Sequence, residues 1–229
     1  MTNKLKQLRW FDLLALTAIM FGPAIYSSTV QYLTTGDNLQ AIQNNVTFSA
    51  LQNYQALASQ LIWLGLAFTY LLLRNFDFSI WTKQIKWTLF LPLQVLAIFC
   101  LAAAAMDLFM SLTWSLLQPS TPSVFEILKE ADLSLVLYSL MNGFYEEIFF
   151  LGICLAVKPK FIKWSFLFSL FIRFSFHTYQ GMTTAIGLGF LLGTIFFVLY
   201  RKMKKPNLLP FFLAHSIADI VGLSLLLLF

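Results

Sequence analysis

Charged residues are scarce in this chain: they make up 11% of its 229 residues against 59% hydrophobic ones, and the mean hydropathy is +0.76. A soluble globular domain carries about a quarter of its residues as charges, so the composition excludes that class. Cysteine is nearly absent. Cys100 and Cys154 both fall inside apolar runs with no Cys-x-x-Cys, which argues against a disulfide framework or a thiol nucleophile and leaves small apolar filler as the reading. There is no C-terminal cysteine for prenylation, and Met1-Thr2-Asn3 lacks the glycine that myristoylation requires. Histidine occurs twice, as His177 and His215, without a His-Glu-x-x-His pair. No internal repeat is evident. The basic residues lie in short clusters between apolar runs, so the net charge of +5 does not imply nucleic acid.

What the chain has in quantity is apolar runs of bilayer-spanning length. They cover about 11–33, 51–73, 87–113, 133–157, 161–179, 184–200 and 207–229. Of the 15 Lys and Arg, 13 fall in the N-terminal segment, the 74–86 loop, the 158–163 turn and the 201–205 block, and the intervening loops hold only Lys129. Alternation of this kind orients a membrane protein with its basic loops in the cytoplasm. The expectation is an all-α fold, a polytopic transmembrane helical bundle of about seven spans in the cell membrane, with a cytoplasmic N-terminus. The first run is read as an uncleaved anchor because it is too long for a signal peptide and no convincing cleavage site follows. The length leaves no room for a separate soluble domain. The chain is divided into N-terminal helices over 1–132 and a core of four spans over 133–229.

Smaller features carry weaker expectations. Pro23 is expected to kink the first span, and Trp81 and Trp87 to act as interface anchors. Asp12 reads as interfacial, and Asp107 is left open between a functional and a bland role. Gly189-Phe190-Leu191-Leu192-Gly193 has the spacing of a close helix contact, and Asn45-Val46-Thr47 is a glycosylation sequon.

The stretch Asn142-Gly143-Phe144-Tyr145-Glu146-Glu147-Ile148-Phe149-Phe150 demands more explanation. One carboxylate at the bilayer centre costs roughly 2.5–3.5 kcal/mol on insertion scales, and here two stand side by side. At about 1.5 Å per residue, Glu147, Arg173, His215 and Asp219 fall near the middle of a core about 30 Å thick, with His177 nearer the outer half. Arg173 and His177 are four residues apart and share a helix face, as do His215 and Asp219. Three helices therefore aim polar pairs at a common depth. Meeting there would match charges and hydrogen bonds that hydrocarbon cannot satisfy. A purely structural ion-pair network, a metal or proton site and an ion path all remain open on these residues alone.

At these residues the chain resembles the CPBP family of intramembrane proteases, also called CAAX amino-terminal protease or Abi proteins. Glu146-Glu147-Ile148-Phe149-Phe150-Leu151 is similar to the family's Glu-Glu-x-x-x-Arg motif except at its last position. His177 occupies the Phe-x-x-x-His motif, with Arg173 where Phe is commonest, and His215-Ser216-Ile217-Ala218-Asp219 fits the third. The resemblance covers about 133–229. It implies an intramembrane glutamic endopeptidase in which Glu146 activates water, Glu147 orients its neighbours and His177 positions the water. His215 and Asp219 would stabilise the oxyanion, directly or by orienting a donor. Leu151 cannot neutralise the glutamate pair as the family's Arg would, and Arg173 is expected to supply that charge.

The implied partners are a peptide or membrane-protein substrate and the lipid bilayer, with no cofactor, no metal and no nucleic acid. Compact loops look most like the bacterial branch, whose implied roles are bacteriocin self-immunity or maturation of signalling peptides. The alternative is a catalytically inactive protein of the same fold that acts as an immunity or scaffold factor.

Overall fold

The computed structural model describes residues 4–38, 40–42, 48–113, 129 and 131–226, and among them every named element is helical. The sequon at 45–47 lies outside the described residues. The seven apolar runs form seven helical segments: α1 (Trp10–Thr35), α2 (Ala50–Leu73), α3 (Leu91–Thr113), α4 (Leu133–Glu147), α5 (Ile162–His177), α6 (Met182–Lys202) and α7 (Leu209–Val221). Four of them, α1, α2, α3 and α6, are long and apolar enough to cross a membrane. α4 continues in wider π-type turns through Ile148–Ile153, and α6 contains a similar stretch at Gly187–Leu192.

The ends follow from local chemistry. Ser49 and Gln52 cap each other's backbone N–H groups at the start of α2, at 3.4 and 2.8 Å. Asp132 caps α4 by accepting from Leu135 N at 2.9 Å. The Ser134 hydroxyl and that backbone donor hold the Asp132 carboxyl below its ordinary range. α1 runs unbroken through Pro23 to Gly36. α7 is shorter than its apolar run because Gly222 leaves the helix at φ 85°, and the freed N–H of Leu225 is accepted by Asp107 Oδ2 at 2.8 Å. Asp107 thus closes the end of the bundle against α3.

The four basic segments come together at one end of the bundle. Leu5 N donates to Asn75 O and Asp77 N to Leu5 O, while Leu8 N donates to Ala156 O at 2.6 Å. On the same face Leu208 N bonds Gln84 O at 2.6 Å, and the Asn207 side chain pairs with the Lys86 backbone at 2.9 and 3.0 Å. At the far end, Asp37 accepts from Met182 N at 2.7 Å, and Ser28 joins Thr178 at 2.9 Å.

α4 is the central strut. It packs against α7 and α2, while α1 leans on α5 and α5 on α6. Gly143 lets α4 and α7 touch, since a Cβ there would press on Phe212 O and Ser216. Gly189 and Gly193 face Phe174 and Leu170 of α5 in the same way, so the GxxxG spacing marks the α5–α6 contact. Phe21 of α1 inserts among Tyr145, Phe149, Phe150 and Phe176, with ring centroids 4.7–5.5 Å apart.

Two expectations are corrected. Trp81 is no interface anchor: it is buried among Phe68, Phe76 and Phe78, because a short helical turn at Ser79–Thr82 folds it under the bundle. Asp12 is fully buried and is held by Arg74 Nε and Tyr70 Oη, both at 2.7 Å. It ties α1 to α2. Outward-facing apolar side chains, such as Leu73 at 83% exposure and Leu89 at 90%, show a surface suited to lipid.

Candidate active site

Adjacent helix positions are about 100° apart, yet both carboxylates of the Glu146-Glu147 pair turn inward and are buried. They can do so because α4 is surrounded: α7 and α5 bring groups to both sides. From α5, Arg173 Nη2 donates to Glu147 Oε1 at 2.8 Å, and its Nη1 lies 3.9 Å from Glu146 Oε2. The guanidinium is stacked on Phe150 at 4.1 Å from the ring centroid, which fixes the plane of the fork. From α7, His215 Nδ1 bonds Glu147 Oε1 at 2.8 Å, and its Nε2 lies 3.8 Å from Glu146 Oε2 and 3.6 Å from Asp219 Oδ1.

An ionised carboxylate can only accept, so His215 Nδ1 carries the proton in its bond to Glu147. The same logic applies to His177, whose Nδ1 donates to the Arg173 carbonyl at 2.7 Å; in the neutral ring Nε2 is then the acceptor. His177 lines the cavity but lies outside hydrogen-bond reach of either glutamate; the ring of its neighbour Phe176 is tilted beside it at 4.2 Å. All six residues read from the sequence, Glu146, Glu147, Arg173, His177, His215 and Asp219, therefore lie in one neighbourhood.

Two polar residues of that neighbourhood were not singled out in the sequence reading. Asn142, one turn before Glu146, donates to Glu146 Oε1 at 3.3 Å and to Asp219 Oδ2 at 2.8 Å. Its own carbonyl accepts from Gln60 of α2 at 2.6 Å. An amide four residues before a buried glutamate was a legible signal, whereas Gln60 sits in an otherwise unremarkable stretch of α2. After these bonds, Glu146 Oε2 is buried without a hydrogen-bond donor among the described residues.

Glu146 and His215 line a cavity of about 1190 Å³, larger than the roughly 300–1,000 Å³ of a typical small-ligand site. Its walls run from Glu146, His177 and Asp219 to Gln31, Asn53 and Asp132 at the bundle end away from the basic loops.

Residues 130–221 match the family model described as Rce1-like, type II CAAX prenyl endopeptidase. Over these residues the chain is similar to the Rce1-like family. The matched stretch holds Asn142 and all six residues above; only Gln60 comes from outside it. No curated protein and no solved structure matches the chain. The Rce1-like proteins are a protease family, and four helices of this chain are long and apolar enough to cross a membrane.

Glu146, Glu147 and His215 also place ligand atoms within 4.8 Å of one another, a spacing that could hold a metal ion. The donor set fits a cation poorly. Glu147 Oε1 is already shared by Arg173 and His215, and the guanidinium stands where it would repel a divalent ion.

Proposed function

We propose that this protein is an intramembrane endopeptidase that hydrolyses a peptide bond with water activated by Glu146. The observation that carries this reading is the buried Oε2 of Glu146, which has no hydrogen-bond donor among the described residues and belongs to a residue at the cavity wall. It lies 3.8 Å from His215 Nε2 and 3.9 Å from Arg173 Nη1. A carboxylate with an open lone pair can take a proton from water as the water oxygen attacks the scissile carbonyl. That proton then passes from Glu146 to the departing amine nitrogen, and the base is restored.

The remaining residues divide the work by what each can donate. Glu147 bonds Arg173 and His215 and so orients both. His177 offers its Nε2 lone pair to the attacking water. In its imidazolium form His215 donates from Nε2 as well, toward the negative charge that develops on the substrate oxygen; such a donor is typically worth about 2.7–4 kcal/mol in the transition state. Asp219 accepts only and acts by orienting His215 and Asn142. Arg173 supplies the positive charge that Leu151 cannot.

In this reading the core spans 133–229, the helices before it supply Gln60 and the cavity wall, and the seven helices cross the cell membrane with the basic loops in the cytoplasm. The cavity end lined by Gln31, Asn53 and Asp132 then faces outward. The substrate is a peptide or a membrane-protein segment presented there, as bacteriocin self-immunity or maturation of a secreted signalling peptide would require.

The test is Glu146→Gln against wild type at matched membrane levels in a host lacking the gene. Mass spectrometry follows cleaved peptide products beside the whole-cell phenotype. The proposal expects both to be lost, because Gln keeps the shape and removes the base. Cleavage that persists in the variant overturns Glu146 as the base. A phenotype that persists without cleavage in either protein shows a binder of the same fold, acting as an immunity or scaffold factor.

A further inference from the structure

A second concavity lies at the opposite end of the bundle, on the basic face. It measures about 940 Å³ and sits between the N-terminal segment, the start of α1 and the start of α5. Its rim carries Lys4, Lys6, Arg9, Arg74 and Lys158, and among the described residues no Asp or Glu lines it. Arg74 is committed to Asp12 at 2.7 Å. Among the described residues, Lys4, Lys6, Arg9 and Lys158 form no ion pair within 4.0 Å; the Asp77 carboxylate feels the charges of Lys4 and Lys6 but stands outside the groove lining.

The cations are held in place, not merely clustered. The segment before α1 is an extended strap pinned by Leu5 to the 75–77 loop and by Leu8 to Ala156, and Leu8 itself is buried. Beside the cations the groove becomes apolar. Leu14, Phe161 and Trp164 line it with exposures of 50%, 48% and 68%, and Phe168 continues the wall one turn further along α5. One edge therefore wants an anion and the other wants hydrocarbon. A soluble phosphate would leave the aromatic wall in contact with nothing that needs it, and a cationic or neutral protein surface would leave the rim unmatched.

We propose that this groove binds one anionic phospholipid of the leaflet on the basic side, its headgroup against Lys4, Lys6, Arg9 and Lys158 and an acyl chain along Trp164 and Phe168. Basic pockets between membrane helices recognise acidic headgroups in this way, and aromatic side chains at a helix start sit well at the headgroup boundary. The site is more than 100 residues of sequence from Glu146 at its strap and uses none of the residues placed in the catalytic cluster.

The experiment uses the full chain purified in detergent and titrated with phosphatidylglycerol or with phosphatidylcholine of identical acyl chains. Retained lipid is counted by native mass spectrometry. Phosphatidylglycerol is expected to give one saturable adduct at least tenfold more readily than phosphatidylcholine. Changing Lys4, Lys6 and Lys158 together to Gln should remove that preference. All three are exposed, so the unliganded protein should keep its melting temperature. Changing Lys202, Lys204 and Lys205 to Gln removes the same charge elsewhere on the basic face and should leave the adduct unchanged. Equal uptake of the two lipids overturns the proposal. So does an equal loss in both triple variants, which means general surface charge, or the same protection by glycerol phosphate alone, which means a plain anion site. If the first triple variant melts early, Lys4, Lys6 and Lys158 changed to Arg must restore both folding and lipid preference, or the proposal fails.

Discussion

At the scale of single residues, the arrangement around Glu147 turns on which partner carries which charge. Arg173 is 2% exposed and serves two carboxylates. Removing one member of a buried ion pair costs about 3–5 kcal/mol, because the other charge stays buried and unmatched. Arg173→Phe should therefore unfold at markedly lower denaturant in detergent and lose cleavage. Adding Leu151→Arg to it returns a cation four residues beyond Glu147, so the double variant should recover part of both. Equal loss in the single and double variants removes Arg173 as the charge that stands in for the family's arginine. Asn142 belongs to this scale too, since its amide satisfies Glu146, Asp219 and Gln60 at once.

At the scale of elements, the site depends on two helices meeting without a side chain between them. Gly143 stands one turn before Glu147, and a Cβ on it would come within 2.9 Å of Ser216 N as well as against Phe212 O. Backbone cannot move aside as a flexible side chain would. Gly143→Ala should cost about 1–3 kcal/mol through overpacking and should separate His215 from Glu147. The expected result is a folded membrane protein with a lowered melting temperature and a larger drop in turnover than in substrate affinity. A melting temperature and cleavage rate equal to wild type would show that α4 and α7 have room to spare. The π-type turns after Glu147 matter for the same reason: they carry Phe150 to the Arg173 guanidinium on α5.

At the scale of the whole molecule, the helices outside the family match hold the site from behind. Phe21 of α1 packs on Phe149, Phe150 and Phe176, and Tyr145 Oη donates to Met20 O at 2.5 Å. α1 is in turn tied to α2 by Asp12, Arg74 and Tyr70. Arg74→Met leaves the buried Asp12 carboxylate with Tyr70 and the Arg9 N–H alone. Hydrogen bonds to charged groups are worth about 1.5–3 kcal/mol, so thermal unfolding in detergent should fall by that amount, and more easily reversed by Arg74→Lys than by Arg74→Gln. A fragment beginning near residue 130 would lose this support together with Gln60.

The sequence by itself determined the class, the helix count and the alternation of basic loops, because bilayer length and charge distribution are properties of composition along one dimension. It also exposed the polar residues of the core, since a carboxylate or imidazole in an apolar run is costly unless a partner meets it. The GxxxG contact was legible too, because an absent side chain leaves space whatever faces it. Only the tertiary structure decided how those residues share their bonds: that Arg173 binds Glu147 closely and Glu146 more distantly, that His177 turns its Nδ1 to a backbone carbonyl, and that Gln60 reaches the cluster through Asn142. It alone decided that Asp12 and Trp81 are buried and that α7 stops at Gly222. These depend on what a neighbouring helix presents at a given height, and helix spacing in sequence carries no information about the azimuth of a distant partner.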